Sequence, residues 1–194
     1  MRPLHSLCVY CGSAVGFAPR YRDAARRLGQ SMAENGIRLV YGGGGIGLMG
    51  IVADAVLAGG GSVVGVIPDF LESRELGHRG LSKLHVVDSM HARKNLMEQM
   101  SDAFAVLPGG LGTLDETFEI LTWRQLRLHD KPIVLIDVDG YWQPLLRLVE
   151  HVVAEGFARA ESLRLFTVVE RVEDVIAVLR RAPEPAIQDA PERL

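Results

Sequence analysis

The chain has 194 residues, of which 48% are apolar and 23% are charged, a balance that suits one globular domain. Its net charge of −3 argues against a broad nucleic-acid-binding surface, although a pocket for one phosphate remains compatible with it. No apolar run reaches the ~18 residues that a membrane helix needs, and the N-terminus shows no signal peptide. We therefore expect a soluble cytoplasmic protein that binds neither nucleic acid nor membrane.

Short apolar segments alternate with longer amphipathic ones along the chain. In chain order, the sequence predicts strand 6–10, helix 19–35, strand 38–41, helix 47–58, strand 62–67, an irregular segment 68–80 with one helical turn, strand 84–87, helix 89–101, strand 103–107, helix 113–128, strand 133–137, helix 141–155, strand 164–169 and helix 172–181.

The predicted strands are apolar without alternation, which is typical of parallel strands covered by helices on both sides. Repeated β–α units predict an α/β fold with a Rossmann-like, doubly wound, mainly parallel sheet of about seven strands and helices on both faces. We expect residues 1–181 to form one domain and residues 182–194, which contain several prolines and charges, to form a flexible tail.

The two cysteines, Cys8 and Cys11, have the C-x-x-C spacing of redox motifs. Redox pairs usually lie at a helix N-terminus, which lowers the thiol pKa. Because Cys8 lies inside a strand-like apolar run, structural packing is favoured over redox chemistry. The cysteines and histidines show no zinc-ligand spacing, so we expect no metal.

The first loop, residues 41–50, contains the G-x-G-x-x-G pattern twice and lies between a predicted strand and a predicted helix. A backbone without side chains can approach a phosphate closely at a helix N-terminus. A nicotinamide-dinucleotide site is the alternative, because Asp69 stands about 20 residues after the motif. We expect Pro68 to break the strand before Asp69, and the run of four glycines departs from the dinucleotide fingerprint, so this alternative is disfavoured.

The second loop, residues 108–116, reads P-G-G-L-G-T-L-D-E and also lies between a predicted strand and a predicted helix. Its glycines expose backbone N–H groups and Thr113 adds a hydroxyl, so we expect this loop to hold a phosphate. Glu116 follows Thr113 by three residues, which is the spacing of a helix capping box. The same carboxylate could equally face a bound ribose, and the spacing alone leaves both interpretations open.

The third candidate region is the start of helix 89–101, for which Asp88 or Ser89 is the expected N-cap. Four residues share one face of this helix: Met90, Arg93, Lys94 and Met97. Two cations among methionines predict either a partly buried phosphate site or long stems that pack on the core with their charged ends in water.

Together these motifs resemble the LONELY GUY family of cytokinin riboside 5′-monophosphate phosphoribohydrolases. The resemblance covers about residues 6–179 and rests on four segments: Cys11-Gly12-Ser13, Gly47-Leu48-Met49-Gly50, Met90-His91-Ala92-Arg93-Lys94 and Pro108-Gly109-Gly110-Leu111-Gly112-Thr113-Leu114-Asp115-Glu116. It implies a Rossmann-like homodimer that hydrolyses AMP or its N6-prenylated form to the free base and ribose 5-phosphate.

The resemblance assigns the catalytic roles to Arg93 and Glu116. It places the substrate contacts at Ser13, Gly43, Gly44, Met90, Lys94, Gly109, Gly110, Gly112 and Thr113. It implies no cofactor. Many relatives carry a lysine decarboxylase label, but no lysine here lies in a motif for pyridoxal phosphate.

In the expected mechanism, the second loop and Arg93 hold the 5′-phosphate, while Glu116 stabilises an oxocarbenium-like state at C1′ and activates water. No second carboxylate is evident, so the proton for the departing base would come from Arg93, from water or from solvent. The alternatives are a nucleotide-binding module without catalysis, an NAD(P) enzyme, and a molybdenum-cofactor carrier, whose fold has similar glycine loops.

Overall fold

The computed structural model describes residues 2–72 and 77–183, which form seven strands and seven α-helices. The strands are β1 Ser6–Tyr10, β2 Arg38–Tyr41, β3 Val63–Pro68, β4 Lys83–Val87, β5 Ala103–Val106, β6 Ile133–Ile136 and β7 Thr167–Val169. The helices are α1 Pro19–Glu34, α2 Gly47–Ala58, α3 Asp69–Glu72, α4 Met90–Gln99, α5 Leu111–Gln125, α6 Gln143–Ala154 and α7 Val175–Arg181. Short 3₁₀ helices occur at Val138–Gly140, Ala160–Arg164 and Val172–Asp174.

The strands form one sheet in the order β4-β3-β2-β1-β5-β6-β7, and every neighbouring pair is parallel. The predicted Rossmann-like α/β fold is therefore confirmed. The chain builds the sheet outwards from β1 to β4, and α4 then leads it back to β5 on the other side of β1. The carboxyl ends of β1 and β5 thus frame the crevice at which sheets of this kind bind ligands.

The core has two layers, one on each face of the sheet. Leu7 and Val9 of β1 pack with α1, α2 and α7, whereas Cys8 and Tyr10 face α4, α5 and α6. This division follows from the two-residue period of a strand. Burial on both faces explains why the strand sequences show no polar alternation.

The cysteines fit the packing interpretation. Both thiols are free and buried, and they lie in different core layers. Burial raises the pKa of each thiol well above its ordinary value. Redox chemistry needs the thiolate, which this environment disfavours.

Most predicted elements are present, with shifted ends. Ser89 is the N-cap of α4, where its hydroxyl accepts a hydrogen bond from the Ala92 N–H (3.2 Å). Pro68 was expected to break the strand before Asp69; the strand does end immediately before Asp69, but it includes Pro68, which pairs with Val87 as the last residue of β3. Proline is tolerated where few ladder bonds depend on its nitrogen.

The predicted strand 164–169 is wrong in its first half. Ala160–Arg164 forms a 3₁₀ helix, and only Thr167–Val169 joins the sheet. Local bonds stabilise that turn: the Ser162 N–H donates to the Arg159 carbonyl (2.9 Å) and the Leu165 N–H to the Ser162 carbonyl (3.2 Å). An apolar run alone does not reveal such local pairing.

Two further expectations concern membrane-spanning helices and the C-terminal tail. Within residues 2–72 and 77–183, no helix combines the length and hydropathy of a membrane-spanning segment. The predicted flexible tail, residues 182–194, lies outside the described residues from position 184 onward.

Candidate functional site

Three loops meet at the carboxyl edge of the sheet: the loop after β1 and the two glycine loops. Gly12, in the loop after β1, lies between the two glycine loops. Its N–H donates to the carbonyl of Pro108, at the start of the second loop (3.1 Å). Its carbonyl accepts hydrogen bonds from Leu48 (2.9 Å) and Met49 (3.4 Å), at the start of α2. The backbone of one residue therefore joins the two glycine loops at the switch point of the sheet.

In the first loop, the N–H groups at the start of α2 form hydrogen bonds within the protein. Because the N–H groups of Leu48 and Met49 donate to Gly12, they are not open to a phosphate. Gly47 has a φ of +65° and lies against the backbone of Ser13, where a Cβ would overlap it. This close approach requires glycine and indicates that the first loop acts as a structural platform.

Gly43 and Gly44 are buried and contact His78 and Gly77. The Gly43 carbonyl accepts a hydrogen bond from the His78 N–H (3.1 Å), and Gly44 forms a β-bridge with Gly77. Both glycines therefore contact protein rather than an open pocket. Contacts of Gly43 and Gly44 with the substrate stay a prediction, and these hydrogen bonds do not support it.

The second loop presents an open helix N-terminus. α5 begins at Leu111 with Gly110 as its N-cap, and no side chain caps it. Gly110 and Gly112 are exposed, and a Cβ on either would point into open space. Among the described residues, no hydrogen bond uses the N–H of Leu111, Gly112 or Thr113. Such a helix start is suited to binding an anion.

Thr113 does not form a capping box with Glu116. The N-cap is Gly110, so Thr113 lies in the first turn of α5, where it is buried. The Thr113 hydroxyl lies beside Gly109, and a Cβ on Gly109 would overlap it. Glycine at 109 thus allows the loop to close tightly on its own helix.

Arg93 extends into this region from α4, and its guanidinium makes only long contacts with the protein. The residue is 5% exposed. Its Nη2 lies 3.4 Å from the Gly42 carbonyl and 3.5 Å from Glu116 Oε1, and its Nη1 lies 3.7 Å from the sulfur of Met90. Its Nε has no hydrogen-bond partner among the described residues. Charge-assisted bonds usually measure about 2.7–2.9 Å, so these contacts leave the guanidinium free to bind a further acceptor.

Glu116 faces Arg93 from the second turn of α5 and is 8% exposed. Buried groups surround it: the pKa of Cys8 and of Tyr10 is raised mainly by burial and further by the charge of Glu116. Water therefore screens the charge of the Glu116 carboxylate poorly. At this buried position the carboxylate can stabilise a nearby developing cation more strongly than at the surface.

Lys94 behaves differently from the expected phosphate ligand. Its ammonium lies 3.1 Å from Asp115 Oδ2 and 2.8 Å from Glu119 Oε2, so it links α4 to α5. Burial lowers the pKa of Lys94, but the hydrogen bonds to the two carboxylates outweigh burial and raise it above its ordinary value. Of the two cations on this helix face, Arg93 has the longer and weaker contacts with protein groups.

Two residues at the site were not predicted as site residues: Gly42, which belongs to the first glycine loop, and Tyr141, which lies outside every motif. Gly42 accepts a hydrogen bond from Arg93, and a Cβ on Gly42 would overlap the Nη2 atom of that arginine. Tyr141, after β6, donates its hydroxyl proton to the Gly109 carbonyl (2.6 Å). The glycine run contained Gly42 but gave no reason to single it out, and nothing in the sequence pointed to Tyr141. Ser13 is exposed on the loop after β1, beside Gly47.

Metal ligands do not gather at this site. Across the described ranges, no group of three or more His, Cys, Asp or Glu side chains could hold a metal ion. The polar groups described at this site are the Arg93 guanidinium, the Glu116 carboxylate and the backbone N–H groups at the start of α5.

Known proteins resemble this chain closely. A family model described as "Possible lysine decarboxylase" matches residues 49–179. The chain is 46% identical over 176 residues to a cytokinin riboside 5′-monophosphate phosphoribohydrolase of Rhodococcoides fascians, across 90% of this chain and 89% of that protein. It is 45% identical over 173 residues to the phosphoribohydrolase LOG of Oryza sativa subsp. japonica, across 89% of this chain and 72% of that protein. The chain belongs to the LONELY GUY family.

A solved structure supports the fold of this LONELY GUY protein. The molybdenum cofactor carrier protein of Chlamydomonas reinhardtii superposes on 93% of this chain and 98% of its own, with a TM-score of 0.68 and 21% sequence identity. At that identity the likeness establishes a common fold and nothing about activity.

The description of the family model calls for a test of the lysines, since pyridoxal-phosphate enzymes hold their cofactor on a neutral lysine amine. The sequence has three lysines: Lys83, Lys94 and Lys131. Lys94 is held by two carboxylates, and Lys131 Nζ lies 2.6 Å from Glu98 Oε1. Lys83 is exposed at the amino end of β4, away from the loops. None of the three fits a Schiff base in this site.

Proposed function

We propose that this LONELY GUY protein hydrolyses the N-glycosidic bond of AMP and of N6-prenylated AMP, and releases the free base and ribose 5-phosphate. The observation that carries the proposal is the buried pair Arg93 and Glu116, 3.5 Å apart beside an uncapped helix start. Relatives at 45% and 46% identity bear the name cytokinin riboside 5′-monophosphate phosphoribohydrolase, and cytokinin ribosides are N6-substituted adenosines.

The 5′-phosphate binds at the start of α5. The first N–H groups of that helix and its dipole favour an anion there. Arg93 adds positive charge and unused donors nearby. Gly110 and Gly112 have open space where a Cβ would lie, so the protein's own packing does not require glycine at these positions. The missing side chains leave room for a ligand beside the start of α5.

Gly112→Ala tests this role, because stability and binding should change in opposite directions. Gly112 lies in the first turn of α5 with no neighbour near its Cβ position. Alanine there should raise the free energy of unfolding by about 0.5–1 kcal/mol. The new methyl group should raise the dissociation constant of ribose 5-phosphate by about 10- to 100-fold, because hydrogen bonds to a charged group are lost. Thermal melting and calorimetry measure the two effects.

Binding of free adenine is the internal control for that variant, because adenine carries no phosphate. Its affinity should stay at the wild-type value. A Gly112→Ala protein that binds ribose 5-phosphate as tightly as wild type would remove the start of α5 from phosphate recognition.

The reaction follows from the charges beside the sugar. As the C1′–N9 bond lengthens, its electron pair moves to the base and positive charge develops on the ribose. Glu116 stabilises that charge and orients a water for attack at C1′, a role worth about 10²–10⁴-fold in rate. Overall, the water supplies the hydroxyl group of C1′ and a proton for the departing base, so the atoms balance without a cofactor.

Product chromatography tests the proposed activity directly. Incubation with AMP, and separately with N6-isopentenyl-AMP, should yield the free base and ribose 5-phosphate in equal amounts. Adenosine serves as the control, since it lacks the phosphate that the second loop would hold. Tight binding of AMP without release of adenine would favour a non-catalytic nucleotide-binding protein instead.

The family resemblance implies a homodimer, and we also propose that its two copies associate through the surface of α5. Phe118 is 40% exposed on this helix, and Leu126, just after it, is 63% exposed. Exposed apolar side chains on one helix can supply the apolar area that association buries. Light scattering should give about twice the monomer mass of 21.2 kDa, whereas a monomer mass at every concentration would contradict the proposal.

A further inference from the structure

Tyr141 lies outside every motif discussed above, yet it contacts the second loop directly. Its hydroxyl donates a hydrogen bond of 2.6 Å to the Gly109 carbonyl. This bond joins the chain after β6 to the loop after β5, across 32 positions of sequence. It is short even for a hydroxyl donor, whose usual distance is about 2.7–2.8 Å.

The Gly109 carbonyl and the Gly110 N–H belong to the same peptide unit. In a trans peptide these two groups point in opposite directions. No cis peptide bond occurs in the part of the chain that the structure describes. A donor that holds the Gly109 carbonyl therefore also fixes the direction of the Gly110 N–H, which points away from Tyr141. A hydrogen bond to the carbonyl also polarises the peptide and strengthens its N–H as a donor.

This peptide needs an external restraint because both flanking residues are glycines. A peptide between two glycines can rotate with little steric cost. Gly110 is exposed, with open space at its Cβ position, and the Leu114 N–H binds its carbonyl (3.0 Å) but not its own N–H, so the direction of that N–H depends on the peptide before it. The hydroxyl of Tyr141 supplies the restraint.

Tyr141 itself is held firmly. The buried carboxylate of Asp137 accepts hydrogen bonds from the Trp142 N–H and from Gln143 Nε2, each 2.6 Å long. The Tyr141 ring packs edge-on against Tyr21, with centroids 5.6 Å apart, and against Trp142 at 4.9 Å. A donor fixed on both sides can set the orientation of a flexible loop.

We propose that Tyr141 is a positioning residue that presents the Gly110 N–H to the 5′-phosphate of the substrate. The proposal rests on the proposed function, because it assigns this N–H to the same phosphate. It is specific to the phosphate end of the nucleotide and gives Tyr141 no part in the bond-breaking step.

Tyr141→Phe removes the hydroxyl and keeps the ring. With AMP, its KM should rise by about two- to tenfold, the range expected for one hydrogen bond, while kcat stays within about twofold. The inhibition constant of ribose 5-phosphate should rise by the same factor, and that of adenine should not change. Tyr21→Phe is the matched control: it removes a hydroxyl from the packed partner ring, and all four constants should stay at wild-type values.

A purely structural role would lower the melting temperature and weaken both inhibitors together. Equal inhibition constants for ribose 5-phosphate in Tyr141→Phe and wild type would overturn the inference, and so would equal weakening of adenine and ribose 5-phosphate.

Direct calorimetry with ribose 5-phosphate separates this inference from the proposed activity. If wild type releases no adenine from AMP yet binds ribose 5-phosphate more tightly than Tyr141→Phe, the hydrolase proposal fails and the positioning role stands. If wild type does not bind ribose 5-phosphate, both fail.

Discussion

Glu116→Gln is expected to lower the turnover of AMP by about 100- to 10,000-fold, the range for loss of a general base. Glutamine keeps the size of the side chain but has no charge to stabilise a cation at C1′ and cannot accept a proton from water. The effect is large because Glu116 is buried and its opposite charge, Arg93, is 3.5 Å away. Calorimetry should show that AMP still binds, since the phosphate contacts remain.

Glu34→Gln is the matched control, because it makes the same chemical change on the exposed end of α1. It should turn over AMP at the wild-type rate. Wild-type turnover by Glu116→Gln would exclude the carboxylate from the bond-breaking step and leave Arg93 and the helix start as the catalytic groups.

Gly42→Ala is expected to lower kcat/KM by about 100-fold, as misplacement of a catalytic group by roughly 1 Å can do. The methyl group would overlap Arg93 Nη2 and would lie 3.1 Å from its Cζ. Gly42 is buried, so the guanidinium rather than the backbone must move, and it then leaves Glu116. Steady-state kinetics with AMP measures the loss.

A double-mutant cycle shows whether that loss passes through the arginine. In an Arg93→Ala background there is no guanidinium to displace, so adding Gly42→Ala should reduce activity little further. Losses that multiply in the double variant would mean that Gly42 acts through the first loop itself.

The fold could be predicted because its signals are local and repeated. Each buried strand is a short apolar run, and the helices between them force parallel crossovers. The errors arose where tertiary context decides. Pro68 is the last residue of β3 rather than the first residue after it, and 160–164 forms a 3₁₀ helix despite the apolar residues that follow. A sequence pattern does not show which backbone groups already have partners.

The site was predicted in part. The resemblance named Arg93 and Glu116, and the structure brings them together from α4 and α5. The resemblance also placed Lys94 at the substrate, but that residue is paired with two carboxylates, as only the packing of α4 on α5 could reveal. Both glycine loops were candidates for binding phosphate, and the second was expected to hold it. In the structure, the Gly12 carbonyl accepts hydrogen bonds from the first N–H groups of α2, whereas the start of α5 stays open. That difference depends on a contact between residues far apart in the sequence.

The placement of the lysines also matters for attaching this protein to a surface or a dye. Of the three, all within the described residues, Lys83 alone is exposed, at the amino end of an edge strand. Amine-directed coupling at a side chain should therefore select the end of the sheet opposite the loops. In an immobilised layer made in this way, the crevice of each protein molecule would face the solution.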